Sequence, residues 1–240
     1  MEQVISAIRK ELLENSDEKT RKSTEHFFKE DIQVYGVKTK IVGDIAKKYW
    51  KEVKSREKTE IYKLCEELYQ SGYCEEAFVV SSWIPRIKEQ FVPEDIFIFK
   101  SWIEKYITNW AACDGFCNHS IGDFIDMYPE YIEELKRWTK SENRWMRRAS
   151  AVSLIIPAKK GRYLKDVIDI ADLLLTDDDD MVRKGYGWLL KEASRNHQDE
   201  IFEYVIKNKA IMPRTSLRYA IELMPPERRS IAMDKSGIKK

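Results

Sequence analysis

Trp110 and Asp114 stand four residues apart in a stretch of helical character, a spacing that puts an indole and a carboxylate on one face of a helix. Arg144 and Arg148 repeat that spacing further along, and Lys184 and Trp188 repeat it again. Gathered in one groove, these side chains would offer aromatic faces, guanidinium groups and one acid. Arginine forks bind phosphates, tryptophan faces attract a cationic ring, and a lone carboxylate stabilises positive charge growing on a sugar or orients a water. Such a groove suits an anionic polymer that carries a cationic lesion. Alternatively, Trp110, Trp145 and Trp188 are core residues of a helical array, the usual fate of aromatics at helical spacing.

Other chemistries find little to work with. His26, His119 and His197 are scattered, and although Cys113, Cys117 and His119 lie close together, positions i and i+4 share a helix face that i+6 leaves, so a zinc site lacks ligands. There is no nucleophile-elbow serine, no P-loop and no Rossmann glycine pattern. Neither a metal nor a cofactor is expected. The run Asp177 to Asp180 reads as carboxylates meeting the positive end of a helix dipole, with no other ligand spaced to make a cation site. Asn118, His119 and Ser120 read as capping and packing residues, and Cys65, Cys74, Cys113 and Cys117 as reduced, mostly buried thiols.

The positioning elements announce themselves through a period. Ala77, Cys113, Ala149 and Gly185 are small residues at an even spacing of 36, each inside a helical pattern, which marks a helical repeat array. The fold class expected is all-α, an α-solenoid whose concave face is lined by one helix of each pair. Trp145-Met-Arg-Arg and Met181-Val-Arg-Lys fall in one register, aligning Arg147 and Arg148 with Arg183 and Lys184. Periodicity and punctuation place helices at 2–14, 17–30, 39–54, 57–70, 75–90, 93–107, 110–127, 130–140, 143–158, 163–175, 179–196, 199–207 and 213–223. Gly36, Gly72 and Gly161 fall between them. The array amounts to about six helical pairs forming one domain over residues 1–240.

A 240-residue chain with 43% hydrophobic and 35% charged residues can bury a continuous core and still clothe many amphipathic helices. Its formal net charge is only +1, so an interface for a polyanion must come from asymmetric placement. Arg144, Arg147, Arg148, Arg183, Lys184, Arg214 and Arg218 are the candidates for a basic stripe, with Asp177 to Asp180 expected to point elsewhere. Apolar runs are short and the first thirty residues are charged and helical, so a soluble, cytoplasmic, monomeric protein is expected.

Asn109-Trp110-Ala-Ala-Cys-Asp114, Arg144-Trp145-Met-Arg-Arg148-Ala and Arg183-Lys-Gly-Tyr-Gly-Trp188-Leu-Leu-Lys-Glu192 together resemble the AlkD-type DNA alkylation-repair glycosylases of the HEAT-like repeat class. The motifs stand in the family's order with close to its separations, and the resemblance extends to the amino-terminal helices and the Tyr35-Gly36-Val37 turn. It implies excision of N3- and N7-alkylated purines from double-stranded DNA, with Trp110 and Trp188 as aromatic walls, Asp114 as the catalytic carboxylate and Arg148 as a phosphate contact. An alkylated base leaves as a cation's neutral product, so one acid suffices, and the family is thought to work without extruding the base into a closed pocket. Phe27 and Phe28 either lean on the DNA or belong to the core. The rival readings are a DNA-structure binder on the same scaffold without excision, and a protein-interaction scaffold. All four residues, Trp110, Asp114, Arg148 and Trp188, are expected to be at least partly accessible.

Overall fold

The computed structural model describes residues 2–234, and among them there is no strand beyond one bridge joining Gln33 and Tyr73. The chain forms two compact units, Met1–Ser120 and Ile121–Lys240. The first holds α1 (Glu2–Glu14), α2 (Glu18–Phe27), α3 (Thr39–Val53), α4 (Lys58–Gln70), α5 (Cys74–Trp83), α6 (Asp95–Tyr106) and α7 (Trp110–Phe116). The second holds α8 (Gly122–Met127), α9 (Ile132–Trp138), α10 (Arg144–Val152), α11 (Ile155–Lys159), α12 (Leu164–Leu173), α13 (Asp180–Ala193), α14 (Gln198–Asn208), α15 (Arg214–Ala220) and α16 (Pro226–Met233). No helix of the described residues is long and apolar enough to cross a membrane.

The 36-residue spacing has a direct physical meaning. Ala77, Cys113, Ala149 and Gly185 fall on α5, α7, α10 and α13. In the first unit α5 packs between α3 and α7, and in the second α13 packs between α10 and α15, so a small residue recurs where neighbouring backbones approach. Polar contacts keep the same beat. The Trp83 indole donates to the Ala46 carbonyl 37 residues back at 2.8 Å, Lys58 pairs with Asp95 37 residues on, and Arg162 pairs with Asp126 36 residues back at 2.7 Å. These bonds tie parts of the chain to their counterparts about one repeat away.

Capping follows side-chain chemistry. Asp17 accepts from Thr20 N at the start of α2, Asn109 from Ala112 N at α7, Asn143 from Trp145 N at α10, and Asp179 from Met181 N and Val182 N at α13. Prolines explain where long expected helices divide. Pro85 lacks an N–H and crowds the carbonyl four residues back, so 75–90 becomes α5 followed by a 3₁₀ turn, Ile84–Gln90. Pro157 likewise divides 143–158 into α10 and α11, whereas 110–127 is interrupted by a π turn, Cys117–Ile121. The last helix, α16, begins at Pro226, where fixed φ and a missing donor are harmless in the first turn. Trp83, Trp102 and Trp138 are fully buried, and truncating any one of them would cost roughly 3–5 kcal/mol.

Candidate nucleic-acid interface

In the first unit the short helix α7 is clamped at its start. The buried Asn109 caps Ala112 N at 2.9 Å and donates through Nδ2 to the Cys74 sulfur of α5 at 3.3 Å. Trp110 follows at once and Asp114 one turn later, both half-buried. The Trp110 ring lies nearly parallel to Phe28, with centroids 5.3 Å apart and planes 19° apart, and meets the edge of Phe27 at 5.9 Å. Phe27 is 67% exposed, so it is not a core residue, and Phe28 packs against Ile32, Val34 and Cys74. Phe27, Phe28, Phe78, Cys74 and Trp110 line a cavity of about 350 Å³, a size that suits a small-molecule group. Burial pushes the Cys74 thiol up to about 12, so a neutral S–H rather than a nucleophilic thiolate faces that space.

The segment that carries Phe28 towards α5 is held by one carboxylate. Buried Glu75 accepts from the backbone N–H of Tyr35 at 3.1 Å, Gly36 at 2.9 Å and Val37 at 3.1 Å. Gly36 has φ +87°, and a Cβ there would lie 2.7 Å from both Arg21 Cβ and the Asp17 carbonyl. Its own carbonyl accepts from Asp17 N at 3.1 Å. Gly36 thus touches α2 on one side and α5 on the other. Neighbouring Glu76 binds Arg9 and accepts from the Tyr35 hydroxyl at 2.7 Å, which ties α1 to the same place.

In the second unit the expected accessible arginine is buried. Arg148 is 5% exposed, and its Nη1 donates to the Met181 carbonyl while its chain runs over Gly185. Arg148 joins α10 to α13. Trp188 is half-buried on α13, whereas Trp145 is buried and serves the core. The basic stripe also needs correction, because the aspartates expected to point away face the cations. Arg144 pairs with Asp179 at 3.2 Å and covers the Trp145 ring, Arg147 pairs with Asp177 at 2.7 Å, Lys184 pairs with Asp180 at 2.8 Å, and Arg183 donates to the Asp177 carbonyl. Arg214 donates to the Met233 carbonyl, while Arg218 is exposed. For Arg144 and Arg147 the cause is the repeat itself: Asp179 stands 35 residues after Arg144, so the register that stacks α13 on α10 sets acid against base, whereas Lys184 meets Asp180 one turn away on the same helix.

A family model for DNA alkylation repair enzymes matches residues 8–224. The chain belongs to the DNA alkylation repair enzyme family. Among solved structures, a predicted DNA alkylation repair enzyme from Enterococcus faecalis superposes with a TM-score of 0.78 at 15% identity, covering 88% of this chain and 98% of that one. AlkD2 from Streptococcus mutans superposes with a TM-score of 0.59 at 22% identity, covering 78% of this chain and 90% of that one. At these identities the likeness is one of fold, and it bears out the all-α helical-repeat class. No curated protein matches the chain.

Two features of the family member's first unit escape a sequence reading. Glu75 sits in the first turn of α5, where an acid is already accounted for by the helix dipole, so nothing marks it as the anchor of a loop some 40 residues earlier. The pairing of Phe28 with Trp110 depends on the non-periodic segment between α2 and α3. The pairing of Arg144 with Asp179, by contrast, was available from the 36-residue period.

Proposed function

We propose that this chain is a monomeric, metal-free DNA glycosylase that hydrolyses the N-glycosidic bond of N3- or N7-alkylated purines in duplex DNA. The observation that carries the proposal is the placement of Trp110 and Asp114 on one face of α7, beside an aromatic cavity, in a chain of the DNA alkylation repair family. Alkylation at those nitrogens makes the base cationic, so it leaves as a neutral molecule and needs no general acid. Positive charge then develops on the deoxyribose. The Asp114 carboxylate opposes that charge and orients the attacking water, whose proton it accepts. Trp110 offers an aromatic surface to the cationic nucleoside, and Trp188, half-buried on α13, is assigned the second indole contact with DNA. Arg148, being buried, positions α13 rather than reaching out to a phosphate.

The test is release of free base from methylated duplex. Asp114→Asn keeps the shape and loses the charge, so release should fall by about 100-fold or more while affinity for duplex holds or rises. An Asn variant that excises as fast as the parent removes the catalytic carboxylate from the proposal. A second reading, binding of DNA structure without excision, is favoured by one observation: Phe28 already covers a face of the Trp110 ring. A parent protein that binds duplex and releases no base would establish that reading instead.

A further inference from the structure

The corner where α15 meets α16 has a surplus of positive charge that the fold does not use. Each other cation of this corner has a structural task. Arg214 donates to the Met233 carbonyl, Lys209 to the carbonyls of Ile231 and Asp234, and Arg228 pairs with Asp199 while lying over the Phe202 ring at 5.0 Å. The side chains of Arg218 and Arg229 have no ion-pair or hydrogen-bond partner among the described residues, and both are exposed. They border one open depression of about 460 Å³, with Ile221, Pro226 and Met233 as its apolar walls and the exposed Ser230 beside them. The depression's single carboxylate, Glu222, is taken by Lys191 at 2.6 Å. In sequence the chain then continues to Lys235, Lys239 and Lys240.

We propose that this depression is a phosphodiester-binding site, in which the guanidinium forks of Arg218 and Arg229 hold a backbone phosphate of duplex DNA and the Ser230 hydroxyl supplies a further donor. The proposal rests on the reading of the chain as a DNA-repair protein, and it names where the second unit takes hold of the polymer once Arg144, Arg147 and Lys184 are committed to aspartates. Two free forks match the geometry of phosphate oxygens better than isolated ammonium groups do, and an open rather than enclosed site suits a ligand that continues on both sides.

The experiment measures affinity of the full chain for an undamaged duplex across a salt series. Arg218→Ala and Arg229→Ala should each weaken binding about tenfold and lower the slope of log K against log salt by about one, with unchanged melting temperatures because neither side chain has an internal partner to lose. Arg218→Lys and Arg229→Lys should restore the slope and only part of the affinity. An Arg229→Ala protein with the parent's slope overturns the site, as does a parent that binds inorganic phosphate here but shows no change in duplex binding when the arginines are removed. Base release from methylated duplex is measured alongside. Slope losses without base release leave the phosphate site standing and refute the glycosylase; base release with unchanged slopes does the reverse.

Discussion

Replacing Glu75 with alanine should be among the most damaging single changes in the first unit. The carboxylate accepts from three backbone donors, and the bonds to Gly36 and Val37 are buried, so their N–H groups would be left without a partner and without water. A stranded buried donor costs about 1–3 kcal/mol. Two of them give about 2–6 kcal/mol, with the half-exposed Tyr35 N–H rehydrating at small cost. For a chain of this length each kcal/mol corresponds to about 2–4 °C in melting temperature, so a fall of about 4–24 °C is expected. Glu75→Gln keeps one acceptor oxygen and should lose less than half as much. Chemical denaturation measures the size, and hydrogen exchange measures the place: the amides of Gly36 and Val37 should lose protection before those of α5. The same loss frees the segment that brings Phe28 to Trp110, so tryptophan fluorescence should report a more exposed ring under native conditions. A Glu75→Ala protein within 1 kcal/mol of the parent, or one whose Gly36 amide stays protected, would refute the idea that this carboxylate organises the loop.

Two glycines inside helices should respond in opposite directions to alanine. Gly43 on α3 has nothing within 4 Å of an added Cβ, so Gly43→Ala should stabilise by about 0.5–1 kcal/mol, whereas at Gly187 on α13 a Cβ would lie 2.9 Å from Tyr219 Cβ and 3.0 Å from the Ser216 backbone, so Gly187→Ala should destabilise by about 1–3 kcal/mol. Equal effects in urea unfolding would show that the close contact of α13 with α15 yields freely. Acid stability offers another check, because the hydrogen bond from Lys165, then that from Lys136, holds the Asp169 carboxyl below its usual range. A carboxylate depressed on folding stabilises above its unfolded pKa of about 3.9 and ceases to do so as pH falls through the lower folded value. The stability gap between parent and Asp169→Asn should therefore be constant from neutrality to about pH 5 and shrink steadily below about pH 4; a gap that persists at the acid limit of folding would contradict the assignment.

Much of the fold could be read because it repeats. A small residue every 36 positions, the acids Asp177 to Asp180 at a helix start, and apolar faces between them are local signals, and local signals decide helices. The pairing of Trp110 with Asp114 was likewise legible, since both lie within one turn of a single helix. What stayed hidden depends on how one element meets another. The charge of Arg148 says nothing of its burial, which arises because Gly185 leaves room for a side chain to pass over α13. Seven basic residues look alike in a sequence, yet neighbours about one repeat away absorb Arg144 and Arg147, Asp180 on the same helix absorbs Lys184, and Arg218 is left exposed. Glu75 could not be distinguished from an ordinary first-turn acid without knowing that the chain after α2 returns to it.

A guanidinium cannot be neutralised at any pH the protein survives, and counterions reach a buried one poorly. Arg148 therefore keeps its charge on the Met181 carbonyl at every pH at which the fold persists, so the tie between α10 and α13 is one that no titration loosens. Raising the salt would silence the exposed Arg218 well before it dimmed Arg148.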